Sequence, residues 1–555
     1  MNVLRSSANS RTLTEAETER LTLRGETFVA AWSALLLSLF AISYSHSRGL
    51  MLLYGDAVAH LNCARKVIDS LHPGLAQLGT VWLPLPHLLM VPFVWRVEWW
   101  QSGLAGAFPS MAAYILGTAG IYRLARLWLP RSTALIAPLF FGLNPGLLYM
   151  QTTAMTEPLF LAEMIWAVVL IVEFARALDK DEIGRAAKLL VIAGIVLVAA
   201  VYTRYDGWVY AFVAWLVALR KMLRTKRWKS AAGGAFLLVT VLLAAAPIVW
   251  LAFCAQQTGD PLTFMRGPYS AKAIEARTSK PGLHYPGWHN MGLAAVFFVK
   301  AAELGASPLH LSDLLLPITI IGGIAGTIRW RAQDAMTALL LWVPLPFYAY
   351  SVAYGSVPIF FPPWVPNAWY NTRYGMELLP VFALSLAFLV ACLADWFARR
   401  RPSVARWAPA AAALLVVANN GFLLYKRPLV LDEAISNSRH RVPFEVAYAN
   451  ALQSLPPNSI VLANTPEWVG AYQRAGFPFK RTITQADYEE WQAGLKNPAK
   501  VADFVVAIEG DRLTQAVADK PEGLTLINIV CSTHQPCARF YSSDRHSPGG
   551  SITQK

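Results

Sequence analysis

Long apolar runs separated by clusters of Arg and Lys constrain this chain more than any other feature. Residues 27–45 (TFVAAWSALLLSLFAISYS) are long enough to cross a hydrocarbon core of about 30 Å. Ten further runs of comparable character lie near 105–124, 132–150, 156–175, 187–203, 208–222, 231–253, 308–328, 335–354, 375–397 and 405–425. With residue 1 on the cytoplasmic side, every dense basic cluster falls in an inner loop. These are Arg123, Arg126 and Arg131, then Arg220 to Lys229, then Arg329 and Arg331, then Arg399 to Arg406. Orientation follows the Lys/Arg bias of short loops, so the pattern predicts eleven spans and a C-terminus outside. The loop at 176–188 carries mixed charge and decides little.

Parity also fixes the run at 80–96 (TVWLPLPHLLMVPFVWR). A crossing there would move every later basic cluster to the outer side. Pro84, Pro86 and Pro92 make it a poor straight helix. It is expected to lie at the outer interface, where non-helical backbone must be covered by protein or line a cavity.

The chain is 55% hydrophobic and 15% charged, against about 25% charged in soluble domains, so lipid is its main solvent. The net charge of +14 is explained by topology, and no nucleic-acid partner is expected. Residues 1–26 are polar and read as a mobile cytoplasmic tail rather than a cleaved signal. Residues 27–427 form the transmembrane module, and the long stretch 255–307 is read as an outer loop. From 428 to 555 the composition becomes that of a soluble extracytoplasmic domain with a loose tail. There SIVLAN and DFVVAIEG read as buried strands and VPFEVAYANALQSL as an amphipathic helix. The expected fold is thus an α-helical polytopic bundle with a small α/β domain. Cys531 and Cys537 are placed to pair if that domain meets an oxidising compartment. No Cys/His spacing resembles a zinc site.

Four polar segments recur where spans meet the outer face: YGDAVAH (54–60), MTEPLF (155–160), TRYDGW (203–208) and NTRYGMELLP (371–380). Ionisable residues facing a cavity at such depth are functional candidates, because desolvating them is costly. Each also has an ordinary explanation. Asp56 suits a helix N-cap, and Glu157 before Pro158 suits a first helical turn. Arg204 and Asp206 suit a simple pair, while Arg373 and Tyr374 sit in an aromatic belt. His60, one turn after Asp56, is expected to be a local hydrogen-bond partner rather than a metal ligand. Together, two carboxylates and two arginines on one side of a bundle suit an anionic, lipid-linked substrate, since arginine binds phosphate bidentately and keeps its charge.

On these segments the chain resembles the GT-C superfamily of polytopic glycosyltransferases, close to the protein O-mannosyltransferase and aminoarabinose-transferase branch. The matching features are Asp56 soon after the first span, Pro84–Leu85–Pro86, TEPLF at 156–160, TRYDG at 203–207 and TRYGMELLP at 372–380. They cover roughly residues 27–425 and none of the C-terminal domain. The resemblance implies sugar transfer from a polyprenyl-phosphate carrier to an acceptor hydroxyl (of a glycan, lipid or protein) on the outer face of the inner membrane. It implies Asp56 as the base, Glu157 as a second acidic position, and Arg373 with Arg204 stabilising the leaving phosphate. His60, Asp206 and Tyr374 complete the expected substrate-binding set. Many relatives carry two adjacent acidic residues in the first loop, whereas here Ala57 follows Asp56. One loop carboxylate is a poor divalent-ion site, so neither metal nor other cofactor is expected.

Two other classes stand beside this expectation. A transporter or flippase of lipid-linked saccharides also needs charges facing a cavity, but often shows repeated halves, and no repeat is visible. A membrane-anchored binding protein would place its function in the C-terminal domain alone.

Overall fold

The computed structural model describes residues 15–278, 282–330 and 335–546. The expected tail at 1–14, the last residues of the C-terminal tail (547–555), Lys280 and Arg331 lie outside them. The tail reading is corrected for residues 15–26, which already belong to the first helix, α1 (Glu15–Ser47). Glu26 is fixed there by Arg126, whose Nε lies 2.9 Å away, and by the Tyr122 hydroxyl.

Among the described residues nine helical stretches are long and apolar enough to cross a membrane. They match nine of the eleven expected runs. The other two still traverse the bundle. α2 (Gly55–Ile68) and the short apolar α3 (Leu85–Val94) follow α1, and then α4 (Leu104–Ala125) runs back beside it. Residues 131–150 break into the short helices Arg131–Ala134, Ile136–Gly142 and Pro145–Met150. Pro145 cannot donate to a continuing helix, and the Asn144 side chain caps a new one by accepting from Leu147 N–H. The broken run begins with Arg131 near Glu26 and ends with the Tyr149 hydroxyl donating to Leu50 O. Along α1, Glu26 to Ser47 is about 32 Å of helix, so the run returns the full height of the bundle.

α5 (Glu157–Asp179), α6 (Ile183–Thr203), α7 (Asp206–Thr225) and α8 (Ala231–Thr258) follow. α7 is the second of these runs, and its last turns carry the charges of Arg220, Lys221 and Arg224. Lys221 pairs with Asp179 and Arg227 with Asp181, which puts the far end of α7 beside the far end of α5.

The stretch 255–307 is corrected from a plain loop. It contains α9 (Met291–Ala306), capped by the Asn290 side chain and buried along Ala294, Phe297, Phe298, Ala301 and Ala302. Then come α10 (Leu315–Arg329), α11 (Pro344–Tyr354), the 3₁₀ turn Thr372–Leu378, α12 (Leu379–Arg400) and α13 (Ala408–Lys426). Arg329 meets Asp395 of α12 at the same end as the other basic clusters. One end of the bundle is therefore basic and exposed, and the four motif segments gather at the other.

α14 (Leu429–Gln453) leaves the bundle and enters the C-terminal domain, which also holds α15 (Val469–Ala475). Its sheet comprises β1 (Val461–Ala463), β2 (Thr482–Ile483), β3 (Phe504–Ile508), β4 (Leu524–Ser532) and β5 (Gln535–Ser543), in the order β2-β1-β3-β5-β4. The two sequence-predicted strands are the central parallel pair β1 and β3. β5 joins β3 antiparallel and carries edge strand β4, and Cys531–Cys537 bridges this hairpin beside its turn. The domain sits on α2: Asn62 donates to the Gln473 side chain at 2.8 Å, and Gln473 donates to Trp100 O at 2.7 Å.

Candidate active site

Each motif segment is a helix boundary, and each boundary turns a charged side chain inward. α2 starts at Gly55 with Tyr54 as its N-cap, so Asp56 lies in the first turn rather than at the cap. Glu157 and Pro158 open α5, as expected of a first turn. α6 ends at Thr203, Arg204 is extended, and Asp206 opens α7. The close approach at Gly207 has a steric cause: a Cβ there would lie 2.1 Å from Ala200 O. Arg373 sits in the 3₁₀ turn, where a Cβ on Gly375 would lie 2.4 Å from Ala302 N of α9. Small residues in two of the motifs thus let backbone pack closely where the charged residues emerge.

The structure brings Asp56, Glu157, Arg204, Asp206, Arg373 and Tyr374 into one network. Arg373 donates from Nη2 to Asp56 Oδ2 (2.6 Å) and from Nε to Glu157 Oε1 (3.1 Å). Arg204 Nη1 reaches the same Glu157 Oε1 at 3.2 Å and the Thr156 hydroxyl at 2.8 Å. Its Nε lies 3.1 Å from Asp206 Oδ2, and its Nη2 donates to the Tyr348 hydroxyl at 2.7 Å. Tyr348 Oη is 2.8 Å from both Asp206 Oδ2 and Glu377 Oε1. The Tyr374 ring lies under both guanidinium groups, 4.9 Å from Arg373 and 5.3 Å from Arg204, and stacks on Tyr348.

Burial grades across this cluster. The side chains of Glu157 and Glu377 are fully buried, and Glu433, 3.5 Å from Arg373 Nη1, is 1% exposed. The Asp56 side chain is 44% exposed. Its Oδ1 has no hydrogen-bond partner among the described residues, so one carboxylate oxygen is anchored and the other is unpaired.

His60 is placed differently from expectation. Its Nδ1 lies 2.8 Å from His87 Nε2 of α3, and its ring packs 4.4 Å from Trp82; it makes no hydrogen bond to Asp56. Burial, followed by the nearby Arg373 and Arg204 charges, pushes His60 down to about 3. Burial also holds His87 well below the usual imidazole range. Both rings are neutral near pH 7. The run at 80–96, expected at the outer interface from charge parity, supplies His87 and Trp82 against His60 of the Asp56 helix.

Sequence reasoning did not single out Tyr348, Glu377 or Glu433. Glu377 lies inside TRYGMELLP and was available there as an acidic residue in an otherwise apolar span. Tyr348 and Glu433 carry no local signal, because their hydrogen-bond partners are at least 29 and 61 residues distant. Among the described residues no group of three or more His, Cys, Asp and Glu side chains is arranged to hold a metal ion.

Comparison with known structures bears on the bundle as a whole. The structure of ArnT from Cupriavidus metallidurans bound to undecaprenyl phosphate superposes with a TM-score of 0.51 at 12% identity, covering 93% of this chain and 98% of that one. The fold is GT-C-like. The apo state of the same protein gives 0.49 at 12% identity, covering 95% of this chain and 98% of that one. The archaeal oligosaccharyltransferase AglB from Archaeoglobus fulgidus, in complex with an inhibitory peptide and a dolichol-phosphate, gives 0.45 at 13% identity, covering 88% and 72%. By sequence, residues 99–250 of the GT-C-like bundle match the family of dolichyl-phosphate-mannose-protein mannosyltransferases. That match takes in Glu157, Arg204 and Asp206 but neither Asp56 nor Arg373. No curated protein matches the chain by sequence.

Proposed function

We propose that this chain is a membrane glycosyltransferase that moves a hexose, pentose or mannose-like sugar from a polyprenyl-phosphate carrier to an acceptor hydroxyl. The observation that carries it is the Arg373–Asp56 pair, with an arginine anchored on buried Glu157 and a half-exposed carboxylate whose second oxygen is unpaired among the described residues. Asp56 Oδ1 takes the proton of the acceptor hydroxyl as its oxygen attacks the anomeric carbon. The bond from that carbon to the carrier's phosphate oxygen breaks, and its electron pair leaves on the phosphate. Attack from the face opposite the phosphate inverts the anomeric centre. Arg373, with Arg204 behind it, stabilises the negative charge on the departing phosphate. The leaving group is a stable anion, so no strong general acid is needed.

The positive charge in this scheme comes from the two guanidinium groups, and the reaction is metal-independent. Full transfer in the presence of EDTA is the expected result. The site end is placed on the extracytoplasmic face of the inner membrane, with the N-terminus cytoplasmic. Support comes from the basic clusters gathered at the opposite end and from the Cys531–Cys537 disulfide, which persists in oxidising compartments.

The deciding experiment incubates purified protein with a polyprenyl-phosphate sugar and candidate acceptors, and follows release of free polyprenyl phosphate. An enzyme releases it in step with acceptor glycosylation. Movement of intact donor across a vesicle without release would instead favour a flippase and sink this reading.

A further inference from the structure

The helix that leaves the bundle for the C-terminal sheet grips the site at two points. α14 begins after Arg427 takes left-handed backbone at φ 65° and Pro428 starts a new direction. Its first turns carry Glu433. Both Glu433 oxygens accept from the backbone N–H groups of Asn371 (3.0 Å) and Thr372 (2.9 Å), and the Thr372 hydroxyl also donates to Oε2. These donors open the 3₁₀ turn bearing Arg373, which has no cap from its own Asn371 side chain. A carboxylate from α14 therefore caps the Arg373 turn from outside.

Eight residues further along α14, about 12 Å of helix, Arg441 makes the second grip. Its Nη2 donates to Leu53 O at 2.9 Å and to Leu52 O at 3.2 Å, the carbonyls just before the Asp56 helix. Arg441 is held in turn by Glu445, whose other oxygen accepts from Arg474 Nε of α15 at 3.0 Å. Near the start of the helix, Tyr54, the N-cap of α2, donates its hydroxyl to Val430 O at 2.8 Å.

We infer that α14 is a positioning element that sets Arg373 against Asp56, with Glu433 and Arg441 as its grips, so that the C-terminal domain acts on transfer by fixing site geometry. This rests on the proposed function. Arg373 and Asp56 lie 317 residues apart on segments that are irregular where they approach α14. One continuous helix touching both gives them a fixed spacing, which neither segment supplies by itself. Neither grip touches the reacting atoms, so both are positioning residues.

The test measures kcat and donor KM in full-length protein for Glu433→Gln, Arg373→Lys and the double variant. Gln keeps the size of Glu433 but turns an amide N–H₂ toward backbone donors. Glu433→Gln is expected to lower kcat at least about tenfold with little change in donor KM, since sub-ångström misplacement is costly in catalysis. In the double variant the losses should not add, because Glu433 acts through Arg373. Unchanged kcat, or additive losses, would overturn the inference. If Glu433→Gln does not fold, Arg441→Gln read with Asp56→Glu replaces it under the same criteria. A wild-type protein that transfers no sugar counts against the proposed function; an active wild type beside an unaffected grip variant counts against the positioning role alone.

Discussion

The two arginines of the cluster have nearly the same chemistry around them and very different surroundings. Arg204 is closed in by Glu157, Asp206, Glu377 and the Tyr348 hydroxyl, all buried. Arg373 shares Glu157 but turns its Nη2 to the half-exposed Asp56. Under the proposed function, Arg373 stands nearer the substrate and Arg204 supports it from behind. A charge whose partners are all buried is held for geometry, whereas one paired with an accessible carboxylate has a bond that substrate can compete for. Glu157 Oε1, shared by both, couples the two halves.

The largest effects are expected at the open end of the cluster. Asp56→Asn should lower transfer by about 10³-fold with a smaller loss of stability than at the fully buried carboxylates, because it removes a base and weakens a half-exposed ion pair. Undiminished transfer in a membrane-inserted variant would remove Asp56 from the mechanism. Arg373→Lys should follow with a loss of about 10²-fold, the charge being kept and the planar fork lost. At the closed end the order of effects reverses. Glu157→Gln leaves two arginines short of a shared buried carboxylate and should destabilise the protein by about 3 kcal/mol, read as a lower unfolding midpoint in detergent. Equal stability of Glu157→Gln and Asp56→Asn would erase the distinction.

A smaller effect sharpens the floor beneath the open end. The His60 pKa is lowered on folding, from about 6.5 to about 3, so the unfolded chain binds more protons in that window. The stability it contributes is complete above pH 6.5 and is lost as pH falls toward 3, by about 1.4 kcal/mol per pH unit for one proton. His60→Gln should flatten that slope between pH 6.5 and 5 in a thermal-unfolding series.

Much of the fold is legible because lipid imposes a simple pattern: apolar length for the passes and basic residues at one end. The same pattern hides what does not follow periodicity. Residues 132–150 read as one span, yet Pro145 and the Asn144 cap divide the run without changing its destination. α9 was obscured by the Gly, Pro and charges of the loop around it, although Asn290 is a favoured cap before an apolar stretch. For the site, the four motif segments named residues that the structure gathers into one cluster, because helix ends must place charge somewhere protected. His60 went astray because helical spacing says which residues share a face but not which neighbouring element covers that face. Here the proline-rich run covers it with His87 and Trp82.

The broken pass at 131–150 also bears on how the protein is made. A helix interrupted twice leaves backbone groups that hydrocarbon cannot satisfy. Here Tyr114 of α4 donates to Gly142 O at the first break, and the Asn144 side chain at the second ties the pass to Gly305 O of α9. Since α9 is synthesised some 150 residues later, this pass cannot reach its final packing as it emerges from the ribosome. It must be held in a provisional state, alongside α4, until more than half of the chain has been made.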